Sequence, residues 1–151
     1  YEMELVFALK SGGKNIAEAD ALAHIYGCAA GLDMTRRDLQ NKAKENRKPW
    51  DTAKDVDESA VITPLRQMSE VPSVASGRIH LSQNGTVKQD ADLSEMVWSV
   101  PEIIADLSTM YTLQQGDVIY MGTPAGVGAV SRGDVLTGGV EGIGDFEVKI
   151  A

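Results

Sequence analysis

Residues 1–9 alternate large apolar side chains at Tyr1, Met3, Leu5, Phe7 and Leu9 with Glu2, Glu4, Val6 and Ala8. A period of two sends successive side chains to opposite faces of an extended chain, so this stretch reads as a strand with one buried face, and Glu2 and Glu4 share the other. Partner strands are written further along. The apolar run 28–34 has strand length and reaches its charged end at Asp33. Residues 78–82 and 86–90 flank Asn84-Gly85, a pair that tolerates the positive φ of a tight hairpin. Residues 117–121, 135–140 and 145–150 are strand-like and separated by glycine turns, and a short strand is expected near 60–62.

Helical signals are fewer. Asn15 with Glu18 three residues on has the form of a capping box, which predicts a helix over 16–26 ended by Gly27. The charged stretch 35–47 reads as a solvated helix. Ser99 and Glu102 bracket Pro101 at the start of a helix reaching Met110. Residues 48–70, with Pro49 and Pro64, read as a long loop of the kind that often carries function. The fold class is therefore mainly β with a few helices, α+β, over one domain spanning 1–151, without repeat, low-complexity tract or linker.

A chain of 151 residues can bury about two thirds of its unfolded surface and needs no disulfide to hold a core. The single cysteine, Cys28, lies in an apolar run and suits a buried small hydrophobe in a reducing compartment, so cytoplasm is the expected setting. No apolar run approaches the roughly 20 residues of a membrane span, and no membrane partner is expected. The 14 Lys and Arg stand against 22 Asp and Glu, a net charge of −8 that argues against nucleic-acid binding. An acidic protein handling an acidic small molecule needs a local cation, and a bound divalent metal would supply one. The chain opens inside its strand pattern at Tyr1 rather than on an initiator Met, so an upstream portion is expected to be missing.

Glu2 and Glu4 on one strand face bring four oxygens within reach of one point, which suits a hard cation, although a polar strand edge facing solvent has the same pattern. Asp33 ends an otherwise apolar run, where a carboxylate needs a partner. It would be a third metal ligand or, alternatively, the N-cap of the following helix. Two glutamates and an aspartate leave coordination positions open for water and substrate, the pattern of a catalytic ion. Gly122-Thr123-Pro124-Ala125-Gly126-Val127-Gly128 follows a strand and could present backbone N–H groups to an anion, or be a plain turn. It lacks the spacing of either nucleotide-binding glycine motif. Lys54 sits among Asp51, Asp55, Asp57 and Glu58, where a surface ion pair is the ordinary reading. Arg37 and Gln40 share a helix face at i and i+3 and could point together at a carboxylate, or lie in solvent. His24 and His80 do not form a pair.

In this order the pieces resemble the fumarylacetoacetate hydrolase family along essentially the whole chain. The resemblance rests on Tyr1-Glu2-Met3-Glu4-Leu5, residues 31–40 with Gly31-Leu32-Asp33-Met34-Thr35, Pro49-Trp50 followed by Lys54, Asn84-Gly85, and Gly116-Asp117-Val118-Ile119 leading into 122–128. It implies a fumarylacetoacetate-hydrolase-like mixed β-sandwich roll. It also implies Glu2, Glu4 and Asp33 as ligands of Mg²⁺, with Mn²⁺ or Ca²⁺ as alternatives. Arg37, Gln40, Lys54 and Thr123 would hold the carboxylate and carbonyl oxygens of a small keto-acid or dicarboxylate substrate, with Lys54 also acting in catalysis. The wording around Asp33 is similar to the short acylpyruvate and fumarylpyruvate hydrolases of aromatic catabolism. These cleave a carbon–carbon bond of a 2,4-diketo acid to give pyruvate and a carboxylic acid. Val56 departs from the aromatic residue the family has two positions after the lysine. The family's water-activating His and Glu are expected upstream of Tyr1, and a homodimer is expected. Two rival readings remain: an oxaloacetate decarboxylase, hydratase or 2-oxo-diene isomerase built on the same metal-enolate site, and a non-catalytic binding domain.

Overall fold

The computed structural model describes residues 1–151. Two antiparallel sheets form the framework of the fold. The first has five strands. Its centre is β1 (Met3–Leu9), which pairs with β2 (Ile25–Asp33) on one side and β7 (Val118–Tyr120) on the other. β3 (Ala60–Ile62) and the short β4 (Arg66–Gln67) both pair with the far edge of β2. The second sheet runs in the order β6 (Thr86–Asp92), β5 (Arg78–Gln83), β8 (Val135–Val140), β9 (Gly144–Lys149). A core of 22 buried residues draws on both sheets, with Met3, Leu5, Phe7 and Leu9 from β1 and Leu81, Leu136 and Val140 from the second sheet. Four helices flank them: α1 (Glu18–Ala21), α2 (Arg37–Glu45), α3 (Asp51–Lys54) and α4 (Val100–Met110).

The hairpin signal is realised: Asn84 and Gly85 have φ of 52° and 78°, and the Asn84 side chain also reaches Asp134 and the Val135 N–H at the start of β8. The box at Ser99 and Glu102 caps α4 from both directions, with Pro101 in its first turn. β8 falls on the expected bounds, and α2 lies within the expected charged stretch.

Four expectations are corrected. The helix over 16–26 shrinks to α1 and a 3₁₀ turn at Leu22–His24, and the Asn15 box does not form. Asn15 instead takes φ 53°, its N–H donates to the Ser108 carbonyl, and the Ile16 N–H donates to Ser108 Oγ. Ser108 of α4 thus takes the Asn15 N–H that the box would have given to Glu18. Gly27 ends no helix; it lies within β2, where a Cβ would come 2.1 Å from the Arg66 carbonyl oxygen of β4. The 48–70 stretch holds α3, β4 and a 3₁₀ turn at Met68–Glu70 besides the expected β3. Finally, both faces of β1 are buried, not one. Tyr120 and Val61 cover its second face around Val6, and Gly31 on β2 leaves the room they need.

A methyl group at Gly31 would lie 2.6 Å from Val6 Cγ2 and 2.9 Å from both the Tyr120 ring and the Val61 carbonyl. Gly31→Ala should therefore destabilise the fold by about 1–3 kcal/mol, as overpacking of a closed site does. Urea unfolding should report a lower midpoint at unchanged slope.

Candidate metal centre

The pairing register of β1 and β2 places Met3 opposite Leu32 and Glu4 opposite Gly31. One step further, the Asp33 N–H donates to the Glu2 carbonyl at 2.9 Å, which sets Asp33 across from Glu2. Opposed residues of an antiparallel pair project from the same face, so Glu2, Glu4 and Asp33 converge. Each offers a carboxylate oxygen, and these lie within 4.8 Å of one another. Asp33 does not cap α2, whose N-cap residue is Arg36 and receives no side-chain bond.

Cations close over this cluster from the helices. Lys54, the last residue of α3, donates to Glu2 Oε2 at 2.7 Å and also to Asp33 Oδ2. Arg37, in the first turn of α2, donates to Glu2 Oε1 at 2.6 Å and through its other terminal nitrogen to Gln40 Oε1 at 2.8 Å. Gln40 is buried and its Oε1 accepts from Arg37, so the i and i+3 pair on α2 is joined by a hydrogen bond, but only Arg37 reaches a carboxylate, that of Glu2. The two helices are joined by the Arg36 N–H bond to the Ala53 carbonyl. The reading of Lys54 as an ordinary surface pair with its acidic sequence neighbours is replaced by this contact with Glu2 and Asp33.

The three acids differ in their electrostatics. Burial raises the pKa of Glu2, but the hydrogen bonds from Lys54 and Arg37 outweigh it and hold the carboxyl below its ordinary value. Glu4 has no such cation in contact. Burial, with the charges of Asp33 and Glu2 adding, pushes it up to about 7 even though the Gly122 N–H donates to its Oε2 at 2.6 Å. Lys54 is lowered by burial and raised by more through Asp33 and Glu2, so it stays protonated across the ordinary pH range. The Tyr120 hydroxyl, which donates to the Val61 carbonyl, is raised by burial and by Asp33 and Glu4. Cys28, in the core, is raised to about 11 by burial and is chemically quiet.

The glycine-rich loop meets the acids at its first residue. Gly122, at φ 95°, aims its N–H at Glu4, and Thr123 follows with Oγ1 accepting a bond from Gln89 Nε2 at 2.8 Å. Gln89, Tyr120 and Gly31 escape the sequence reading; Gln89 is one amide in a polar hairpin strand, and no spacing marks it as inward. His24 bonds Ser11, and His80 lies in β5; neither contacts the acids. A cavity of about 490 Å³ lies beside the 122–125 loop and is lined by Leu5, Leu93, Met96, Trp98, Ile103 and Met121 among others. Leu5 is on the opposite face of β1 from Glu4, and none of the three acids opens into that cavity, so the chemistry belongs to the charged cluster.

The chain also resembles known proteins along its length. All of residues 1–151 match the family described as fumarylacetoacetate (FAA) hydrolase, C-terminal. A fumarylpyruvate hydrolase of Ralstonia sp is 51% identical over 150 residues, which are 99% of this chain and 78% of that protein. The mitochondrial oxaloacetate tautomerase FAHD1 of Rattus norvegicus is 35% identical over 150 residues, 99% of this chain and 68% of its own length. The crystal structure of fumarylpyruvate hydrolase from Pseudomonas aeruginosa in complex with Mn²⁺ and pyruvate superimposes with a TM-score of 0.97 at 42% identity. That match covers 100% of this chain and 65% of the other. With the same two-sheet roll and a family match over its whole length, the chain belongs to the fumarylacetoacetate hydrolase family.

Proposed function

We propose that this chain is the catalytic domain of a metal-dependent hydrolase that cleaves the carbon–carbon bond of a 2,4-diketo acid, fumarylpyruvate or a close acylpyruvate. The observation that carries this reading is the convergence of Glu2, Glu4 and Asp33 within 4.8 Å under Lys54 and Arg37. The donor set fits a divalent ion: all-oxygen carboxylate ligands suit Mg²⁺, Mn²⁺ or Ca²⁺, and Glu4 is an acid whose ionisation is unfavourable until a cation stands beside it. Mg²⁺ is the proposed native ion, and Mn²⁺ is supported by its presence with pyruvate in the Pseudomonas aeruginosa relative. A cytoplasmic homodimer is proposed for the assembled protein; no helix is long and apolar enough to cross a membrane.

Charge explains how so acidic a chain takes an anion. Three carboxylates face Lys54 and Arg37, a net of −1, and a divalent ion turns the cluster to +1. When bound, that ion supplies Lewis acidity toward the carboxylate and adjacent keto oxygen of the substrate. Arg37, fixed against Glu2, and Gln40, fixed against Arg37, would present donors at the edge of the cluster, and Thr123 would add a hydroxyl from the 122–128 loop. Lys54 keeps a positive charge beside the same acids, where it steadies the oxyanion that develops on the departing pyruvate enolate. Water adds to the distal carbonyl, the carbon–carbon bond breaks, the carboxylic acid forms and the enolate is protonated to pyruvate. Glu2, Glu4 and Asp33 are engaged as ligands and Lys54 as a cation, so none of the four takes the proton of the attacking water.

The oxaloacetate tautomerase relatives support a second reading, enolisation of a 2-keto acid at the same cluster without bond cleavage. Incubation with fumarylpyruvate, acetylpyruvate and oxaloacetate, with product analysis, separates the two. Cleavage to pyruvate and a carboxylic acid is the expected result; enol–keto exchange of oxaloacetate alone would favour the tautomerase.

Excess chelator should abolish turnover, and Asp33→Ala should remove Mg²⁺ binding in a calorimetric titration while circular dichroism stays that of the parent. Undiminished activity in chelator rejects the metal role. A second expectation concerns pH. Folding raises Glu4 from 4.5 to about 7, so the folded chain holds a proton in that window that the unfolded chain has released. The stability this carboxyl contributes therefore falls as pH rises through the window, and a divalent ion, by replacing the proton, relieves the loss. Thermal stabilisation by Mg²⁺ should grow from about pH 5 to about pH 8, and Glu4→Gln should flatten that dependence. A pH-independent stabilisation in the parent protein counts against Glu4 as a ligand.

A further inference from the structure

We infer that Gln89 is a positioning residue that turns the Thr123 hydroxyl into a hydrogen-bond donor directed at the bound 2-keto acid. The inference rests on the proposed reading of the site and adds to it a residue outside the charged cluster.

β7 pairs with β1 only along Val6, Phe7 and Ala8, and toward Glu4 the last bond runs from the Met121 N–H to the Leu5 carbonyl. Beyond that point the chain leaves the sheet as the 122–128 loop. The edge of β1 that carries the Met3 N–H, between Glu2 and Glu4, is then without a strand partner. Gln89 fills the gap from the second sheet. It is 1% exposed on β6, its Oε1 accepts the Met3 N–H at 3.0 Å, and its Nε2 donates to Thr123 Oγ1 at 2.8 Å and to the Pro124 carbonyl at 2.9 Å. A register shift in the β5–β6 pair beside Leu81 and Gln89 breaks the regular ladder there. The loop closes onto this point because residue 126 is glycine: at φ 100°, a Cβ would lie 2.0 Å from the Lys88 carbonyl oxygen.

The orientation of the amide is chemically forced. The Met3 N–H can only donate and the Pro124 carbonyl can only accept, so oxygen faces β1 and nitrogen faces the loop. Both hydrogens of Nε2 are then used, one of them on Thr123 Oγ1. The Thr123 hydroxyl cannot return its own hydrogen to Gln89, and no protein acceptor takes it. Thr123 is half-buried and next in sequence to Gly122, whose N–H holds Glu4, so the loop that carries the hydroxyl stands at the edge of the acid cluster, and the hydroxyl keeps a hydrogen for a bound molecule there. An anionic or carbonyl oxygen of a 2-keto acid is the acceptor that matches it.

The test uses Mn²⁺ and pyruvate as probes on the intact protein. Pyruvate binding to the Mn²⁺-loaded form is measured for the parent, Gln89→Met, Thr123→Val and the double variant. Gln89→Met should weaken pyruvate by about tenfold, the worth of a hydrogen bond to a charged group. It should leave the Kd for Mn²⁺ within about twofold, and in the Thr123→Val background it should add nothing further. Equal loss of pyruvate affinity in both backgrounds, or no loss in either, overturns the inference, because a residue that merely fills space would not act through Thr123. Should Gln89→Met fail to fold, Gln89→Glu keeps the acceptor for the Met3 N–H while reversing the polarity toward Thr123, and the same non-additivity is required of it. Failure of the parent to take up Mn²⁺ would instead sink the metal reading itself.

Discussion

The site depends on the register between β1 and β2. Side chains in a strand alternate with a period of two, so a slip of one residue in either strand would send a carboxylate to the opposite face of the sheet. In the observed pairing Glu2 and Glu4 share the face of Asp33, while Met3 and Leu5 take the core face with Leu32. The same apolar residues that drive the two sheets together therefore hold the register that gathers the acids. β1 ties them together: its odd-numbered residues from Met3 are core, while Glu4 within it and Glu2 just before it are site.

A buried cluster of three acids costs free energy unless something offsets it. Lys54 and Arg37 offset Glu2 and Asp33, and both arrive on helices attached to the strand that ends in Asp33. Glu4 is left to a backbone N–H, which does not suffice to keep it at an ordinary carboxyl value. This unequal distribution has a chemical meaning. A cluster fully neutralised by lysine and arginine would have no use for an ion, and one with no cations would repel a keto acid even after an ion bound. One positive charge short of balance suits a divalent cation followed by an anion.

How much of this could be read from the sequence varied with the range of the forces involved. Elements set by local chemistry were legible: Asn84-Gly85 makes its hairpin, Ser99 and Glu102 cap α4, and the 135–140 strand has its bounds. The alternation at residues 1–9 and the lone acid after an apolar run pointed to the three carboxylates that converge, and the family resemblance directed Arg37 and Lys54, which contact them, to the same site. Illegible were features decided by distant residues. Ser108 on α4 takes the Asn15 N–H that a capping box would have given to Glu18, and the Ile16 N–H beside it, and a helix expected over eleven residues lasts one turn. Gly27 reads as a helix stop because the Arg66 carbonyl that crowds it is far away in sequence. Tyr120 and Val61, likewise remote, cover the second face of β1 that alternation alone assigned to solvent.

In the proposed function, the charged cluster handles the part of the substrate that cleavage and tautomerisation have in common. Both reactions hold a 2-keto acid by its carboxylate and keto oxygen and both pass through an enolate, so Glu2, Glu4, Asp33 and Lys54 cannot by themselves decide between them. The decision lies with the groups at the far end of the substrate, where water either reaches a second carbonyl or is kept away. The 122–125 loop is the element of this chain best placed to influence it, because one end meets Glu4 through Gly122 while its residues also wall the apolar cavity beside Trp98 and Ile103. Gln89 fixes that loop to β1 between two of the acids, so the same amide that orients Thr123 also sets how the loop stands relative to the cluster. Chemistry and selectivity thus meet at a single strand edge, which a side chain completes because the backbone of β7 has already turned away.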